Sequence, residues 1–316
     1  MRTSKVILIL FSIVGFIQIV IAQTCCSGGV PISNNLGIAQ GAKGTLVTAL
    51  SWDYNYLNTL KTGSTTLDQN NRVRGTHSAL LQLGYSISDR FSGDLLLPVV
   101  AQERTITTLG GDRKDITFGL GDISFLVKYQ LLQDATGFDF NIGMGIKLPT
   151  GLTNIEDNAG IIYNADLQPG SGSIDYIWRT QASYSIPRRP QLKVISTAIF
   201  SLKGKNEEYL GNNLYQFGNE LQIIFGLSEK LLLGKQILDM ALLARYRTVQ
   251  NDKFNNGNLP GTGGKWIFIQ PNITWWATPS LGISLQIETP LFAEVVNTQL
   301  SPTIRTNFGI MKKLNL

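Results

Sequence analysis

The sequence has little histidine, little cysteine and little charge. Of its 316 residues one is a histidine, two are cysteines and 16% are charged. A single histidine, His77, excludes chemistry that needs a histidine pair, and two adjacent cysteines cannot supply the four ligands of a structural zinc site. Disordered chains have few hydrophobic residues and a high net charge, whereas 43% of this chain is hydrophobic. We therefore expect a folded chain that binds no cofactor.

The chain also lacks a concentrated excess of either charge. Its formal charge of +5 is spread along the sequence, and two of the cations, Arg2 and Lys5, lie in a segment that we expect to be removed. Such a mild excess forms no basic stripe able to neutralise a phosphate backbone. We therefore expect no nucleic-acid partner.

Residues 1–22 have the pattern of a secretory signal peptide. A cationic start precedes an apolar run over residues 6–21, and Val20-Ile21-Ala22 place short side chains at a cleavage site before Gln23. A membrane anchor is the alternative, but the run is shorter than the roughly 20 residues of a spanning helix. The pattern predicts an exported protein, with residues 23–44 as an N-terminal periplasmic or plug segment.

No apolar stretch after residue 22 is long enough for a transmembrane helix. Instead, polar and apolar residues alternate in segments of about ten residues, which is typical of strands with two different faces. Residues 174–184 show it best, with Tyr176 and Trp178 on one face and Asp175 and Arg179 on the other. Segments of this kind recur to the C-terminus and give about twelve candidate strands.

The connections between these segments alternate between long and short. Long connections over 57–74, 101–116, 149–173, 203–214, 249–265 and 292–302 interleave with short ones near 88–90, 134–137, 187–190, 228–230 and 278–280. Outer-membrane barrels have short periplasmic turns and longer external loops. The pattern predicts an all-β fold, an antiparallel up-and-down transmembrane β-barrel of about twelve strands over residues 45–316. A soluble exported β-protein shows identical alternation and stays the alternative.

Aromatic residues collect near the predicted strand ends. Trp52 and Tyr56 lie on the long-loop side, and Tyr85, Tyr184 and Trp275 lie on the other. Aromatic belts of this kind mark the two interfaces of a membrane. Together with the signal peptide, they favour the outer membrane of a Gram-negative-type bacterium and contact with its lipid.

If the apolar faces meet lipid, the polar faces line the lumen. The predicted lumen-lining residues are charged and nearly balanced in sign: Asp122, Lys128, Asp139, Lys147, Asp175, Arg179, Glu220, Asp239, Arg245, Glu288 and Arg305, with Asp94 and Arg247 as further candidates. Such balance favours charges paired across the interior over an ion-selective ring. Barrels of about eight strands are filled by side chains and those of about 16 to 18 are open, so we expect a narrow or blocked pore.

Three short motifs resemble a known family. They are Gly119-Leu120-Gly121-Asp122 with Lys128-Tyr129 closing the same segment, Gly145-Ile146-Lys147-Leu148-Pro149-Thr150-Gly151, and Leu167-Gln168-Pro169-Gly170-Ser171-Gly172-Ser173 before Asp175. Over roughly residues 75–316 the sequence is similar to the outer-membrane channel family named for the meta-pathway of phenol degradation. The resemblance implies an outer-membrane β-barrel that passes small organic molecules, and it brings no catalytic residues. One departure is the C-terminal Leu316, where outer-membrane strands often end in an aromatic residue.

These observations predict a passive channel for small hydrophobic or aromatic solutes. One alternative is a closed structural barrel held by salt bridges, or a metal-linked one in which Cys25 and Cys26 bind a soft ion. Another is an outer-membrane hydrolase that uses His77. Adjacent strand residues point to opposite faces, so Ser78 is a poor partner for that histidine.

Overall fold

The computed structural model describes residues 41–68, 70–133, 136–234 and 236–316. The predicted signal peptide, most of the predicted plug segment, and Cys25 and Cys26 lie outside the described residues. Within those ranges, no helix has the length and apolar character needed to cross a membrane.

Strands account for nearly all of the regular structure. In the described part of the chain, one short 3-10 helix, Ala165–Leu167, interrupts them. The strands are β1 (Thr45–Gly63), β2 (Thr65–Thr66), β3 (Arg72–Ser86), β4 (Phe91–Thr108), β5 (Gly111–Leu120), β6 (Ser124–Gln133), β7 (Phe138–Lys147), β8 (Asp175–Ile186), β9 (Arg189–Leu202), β10 (Asn206–Tyr209), β11 (Asn213–Gln216), β12 (Glu220–Leu233), β13 (Gln236–Val249), β14 (Lys253–Phe254), β15 (Gly257–Asn258), β16 (Gly264–Thr278) and β17 (Leu281–Asn315).

The long strands form one closed antiparallel sheet. Eleven of them follow one another in the order β1, β3, β4, β6, β7, β8, β9, β12, β13, β16, β17, and β17 pairs back onto β1 with Thr45 opposite Asn315. β2 and β5 lie outside this ring, β2 beside β1 and β5 beside the outer part of β4. Closure leaves the wall without a free edge, which hydrocarbon requires because it offers backbone groups no partner.

The last strand crosses the wall twice. A ring that contains only antiparallel pairings needs an even number of passes, so eleven strands can close only if one of them reverses direction. Residues 281–295 of β17 pair with β16, and residues 295–315 pair with β1. The two arms also meet, since the Lys313 amide donates to the Ser280 carbonyl at 2.8 Å. Asn297, at the reversal, has a φ of 57°, a left-handed conformation that asparagine tolerates.

The side chains of the ring are apolar outside and polar inside. In β8, Asp175 and Arg179 are buried, whereas Tyr176 and Trp178 between them are exposed. The same arrangement leaves large apolar side chains such as Met144 62% exposed. A soluble β-protein buries its apolar faces instead, so this alternative is wrong and the predicted barrel is confirmed.

Several predicted connections are shorter in the structure, because paired strands continue through them. β1 runs to Gly63, β4 and β5 occupy most of residues 101–116, and β17 is continuous over residues 292–302. The apolar alternation stops where lipid stops. Backbone pairing does not depend on lipid, so the strands extend beyond the point at which the sequence pattern fades.

Two structures cover the long-loop end of the barrel. The first, here called the inner loop, is the segment over residues 148–174, which returns into the barrel. The second, the cap sheet, consists of β10, β11, β14 and β15. Tyr209, Tyr215 and Phe217 of the cap region pack on Ala165 of the inner loop. The two structures therefore form one apolar contact above the lumen.

Candidate functional site

The inner loop is held inside the barrel by side chains of three strands. Arg74 of β3 forms a 2.8 Å ion pair with Asp166, and both side chains are buried. Thr117 of β5 donates its hydroxyl to the Leu167 carbonyl at 2.5 Å. Gln102 of β4 donates through Nε2 to the carbonyl of the residue after Leu167 at 3.1 Å. These contacts place the loop across the long-loop end of the lumen.

The three motifs that carry the family resemblance meet at the base of this loop. A Cβ on Gly170 would lie 2.7 Å from the Cα of Gly151, and a Cβ on Gly151 would lie 2.8 Å from the Gly121 backbone. Only glycine permits backbones to approach so closely. Asp122 joins the same point, since its Oδ1 accepts the Gly151 amide at 3.0 Å. The motif glycines therefore close the loop onto the wall.

A buried charged group, here called the motif cluster, surrounds that point and consists of Asp122, Lys147, Ser171, Asp175 and Lys203. Lys147 lies 2.8 Å from Asp122 and 2.9 Å from Asp175, and Lys203 lies 3.1 Å from Asp175. Ser171 donates its amide at 2.9 Å and its hydroxyl at 2.6 Å to Asp122 Oδ2. Two carboxylates and two ammonium groups thus balance one another, as buried charges must.

Further ion pairs continue around the inner face of the ring. Arg247 contacts Glu220 at 2.8 Å, and Arg245 Nε donates to Glu288 at 2.9 Å. The aromatic rings of β16 lie under the same guanidinium groups, with Phe268 4.4 Å from the Cζ of Arg245. Next to these pairs along the ring, Arg305 of β17 contacts Asp53 of β1 at 2.9 Å.

The residues that the sequence predicts to line the lumen fall into two groups. Nine are buried: Asp122, Lys128, Lys147, Asp175, Arg179, Glu220, Arg245, Glu288 and Arg305. The other two are half-buried near the short turns. There Asp139 lies 3.8 Å from Lys193, and Asp239 accepts the indole N–H of Trp276 at 2.8 Å. The further candidates also pair, Asp94 with Lys128 at 2.7 Å and Arg247 as described above.

Sequence reasoning missed six buried charges, namely Asp53, Arg74, Asp115, Asp166, Lys203 and Asp252. Asp53 stands between the aromatic Trp52 and Tyr54, so its alternation with them was an available signal. Arg74 and Lys203 lie at the borders of predicted connections. Asp166 lies within the inner loop, where no periodicity indicates direction, and only the fold brings it to β3.

Towards the short turns the interior opens into two adjoining cavities of about 270 and 290 Å³. They share Asp239, Asn272, Thr274 and Gln286 as lining residues. The first cavity is lined by amide, hydroxyl and aliphatic side chains together with Arg179. The second reaches the short-turn end, where the Lys313 ammonium lies 4.1 Å from the Trp276 ring centre.

The histidine named in the hydrolase alternative lies on the outer face of the barrel. The His77 ring stacks on Tyr54 at 4.5 Å between centroids and on Trp52 at 5.7 Å. Ser78 is buried on the opposite face. The two residues therefore form no nucleophile and base pair, and His77 belongs to an aromatic group at the long-loop interface.

Burial changes the pKa of titratable groups in the cap region. Asp252, between β13 and β14, accepts the Tyr215 hydroxyl at 2.7 Å and the Gly218 amide at 2.8 Å. Burial disfavours the carboxylate and raises the pKa of Asp252 to about 6, with the nearby Asp166 adding to the effect and Lys203 opposing it. Burial and the adjacent Asp252 also raise the pKa of Tyr215.

Several solved structures are similar to this chain. An outer-membrane channel from Pseudomonas putida F1 is similar at a TM-score of 0.68 and 11% identity, covering 87% of this chain and 97% of that one. The transport unit of the autotransporter AIDA-I from Escherichia coli has a TM-score of 0.48 at 10% identity, covering 89% and 95%. The TodX monoaromatic hydrocarbon channel, in a mutant form, has a TM-score of 0.46 at 9% identity, covering 94% and 98%.

The first of these similarities shows the fold, that of a bacterial outer-membrane barrel. Among curated protein sequences none matches the chain. The family comparison matches residues 61–304, which is most of the chain and includes all three motifs at the base of the inner loop. The chain belongs to the family described as "Putative MetA-pathway of phenol degradation".

Proposed function

We propose that the protein is a passive outer-membrane channel for small hydrophobic or aromatic solutes. The observation that carries the proposal is the pair of adjoining cavities inside a closed barrel, near its short-turn end. A purely structural barrel has no need of interior space at that end. The membership of the family and the description of the P. putida relative as an outer-membrane channel support the same function.

The inner loop is the barrier in this channel. It crosses the long-loop end of the lumen and is held by ion pairs and hydrogen bonds, which can exchange with water when the loop moves. The cap sheet packs on the loop through Ala165 and closes the same end. A solute that enters from outside must displace the loop or pass beside it.

The charged residues of the inner face line the solute path and keep its shape. Each described carboxylate of the motif cluster contacts a lysine, and Glu220, Glu288 and Asp53 each contact an arginine. Where the charges are paired in this way, they give the path little net field. Amide and aliphatic side chains in the cavities then provide contacts for an apolar solute.

Uptake by reconstituted vesicles tests the function. Vesicles with lipopolysaccharide in the outer leaflet retard apolar solutes that cross phospholipid unaided, so entry of fluorescent 1-naphthol measures the protein's contribution. We expect faster entry with protein than without it. If vesicles with correctly folded barrels take up 1-naphthol no faster than protein-free vesicles, the result would instead support the closed structural barrel.

A further inference from the structure

One buried cation of the inner face has no carboxylate partner. Arg179 on β8 is 3% exposed, and no salt bridge joins its guanidinium to an acid among the residues that the structure describes. Its Nη atoms donate to the amide oxygens of Asn141, at 2.7 Å, and Gln181. Its Nε is buried without a hydrogen-bond partner. Every other buried arginine named above has a carboxylate contact.

The neighbouring residues of Arg179 also carry more positive than negative charge. Gly143 of β7 pairs with Lys128 on one side and with Arg179 on the other, and it places no side chain between them. The Asp94 carboxylate contacts Lys128 at 2.7 Å and acts on Arg179 only through its longer-range charge. Two cations therefore share one acid at this level of the barrel. An isolated buried charge is costly, so a second anion is favoured here.

Arg179 also lines the cavity of about 270 Å³. Around it the lining combines two chemistries. Amides come from Gln181, Asn272 and Gln286, and aliphatic surface comes from Ile195, Ile199, Ile224 and Leu243. The volume of this cavity lies just below the roughly 300–1,000 Å³ typical of sites for drug-sized molecules, so it suits a small ligand. A guanidinium beside an aliphatic wall is complementary to a molecule with an acidic head and an apolar body.

The one carboxylate that lines the same cavity lies apart from this arrangement. Asp239 accepts the Trp276 indole N–H at 2.8 Å. Its charge is also felt by the Lys313 ammonium at the short-turn end. Asp239 is on β13, three strands from β8 along the ring, and Arg179 remains the cation available to a ligand.

We propose that this cavity is a binding site for small organic acids, in which Arg179 binds the carboxylate and the aliphatic wall binds the ring or chain. The proposal rests on the proposed function and deepens it, because it assigns to the channel a solute class with one negative charge. The carboxylate takes the position of the missing acid beside Asn141 and Gln181. A neutral molecule of the same shape gains only the apolar contacts.

Direct binding separates the site from transport. The probes are 4-fluorobenzoate and its neutral analogue 4-fluorobenzamide, observed by fluorine NMR with the full-length protein in nanodiscs and with empty nanodiscs as background. We expect the wild type to bind the benzoate at least about tenfold more tightly than the benzamide, the size of one charge-assisted hydrogen bond. Arg179→Gln should equalise the two affinities, and Arg179→Lys should retain part of the preference.

Arg189→Gln is the matched control, because Arg189 is an exposed arginine at a short turn and its loss changes the net charge equally. It should leave the preference unchanged. An Arg179→Gln protein that folds and still prefers the benzoate overturns the site, as does equal binding of both probes by the wild type. If 1-naphthol enters vesicles while no benzoate preference exists, the site fails and the channel stands. Benzoate binding without any uptake supports the site and overturns the channel.

Discussion

At the residue scale, the interior is organised by buried charges that need one another. Asp122 shows this most clearly, because it accepts hydrogen bonds from Gly151 and Ser171 and contacts Lys147. Asp122 therefore links the wall before β6 to the end of β7 and to the inner loop. Removing one member of a buried pair leaves the other uncompensated, which costs more than the pair itself contributes.

The variant Asp122→Asn should therefore destabilise the barrel by about 3 kcal/mol. The asparagine amide has the shape of the carboxylate but no charge, so Lys147 keeps only Asp175 as an acidic partner. The new NH2 group also faces N–H donors that now contact the carboxylate. Unfolding in guanidinium, followed by tryptophan fluorescence in detergent, measures the loss. Asp112→Asn is the control, since Asp112 is exposed and accepts one hydrogen bond from Thr107. Equal stability of the two variants would show that the motif cluster does not hold the loop.

At the scale of single strands, the alternation decides which substitutions the membrane accepts. In β8 the exposed Trp178 and the buried Arg179 are neighbours in sequence and lie on opposite faces. A charge on the outer face meets hydrocarbon, whereas a charge on the inner face meets polar partners.

We expect Trp178→Asp to make membrane insertion less favourable by about 1 kcal/mol. The folded fraction in lipid vesicles, measured by the heat-dependent mobility of the barrel on gels, reports this. Gln181→Glu adds the same charge to the inner face of the same strand and should fold with wild-type yield. The reverse order of the two yields would mean that the faces are inverted.

The cap sheet responds to pH through Asp252. Its pKa is about 6 in the folded protein against about 3.8 unfolded, so the folded state holds the proton more tightly. The stability that protonated Asp252 adds to the folded state is complete below about pH 4. It is lost as the pH rises to about 6 and stays lost above that. The rise of the Asp252 pKa from about 3.8 to about 6 corresponds to roughly 3 kcal/mol of folding free energy.

Hydrogen exchange of cap-sheet amides tests this at pH values from 4 to 7, after correction for the intrinsic rate. Protection should be greater at pH 4 in the wild type, and Asp252→Asn should remove the difference because the amide does not titrate. A wild-type cap whose protection rises with pH would contradict the assignment.

At the scale of the whole molecule, much of the fold and a narrow or blocked pore were predictable, whereas the position of the loop that closes the lumen was not. Alternation such as that of Tyr176, Trp178 and Arg179 depends only on which solvent each face meets, so the sequence alone predicts it. The position of Asp166 against Arg74 depends on where the inner loop returns. That return is set by the contacts of glycines far apart in sequence, and no local pattern encodes it.

We propose above that the lumen is a solute path and that the inner loop is its barrier. Gly151 and Gly170 lie against each other, so residues 152–169 can be replaced by a short Gly-Ser link without moving the wall. Single-channel conductance in planar bilayers then compares this variant with the wild type. We expect several-fold higher conductance in the variant. Wild-type conductance in a folded loop-deleted barrel, or none in either protein, would contradict the account.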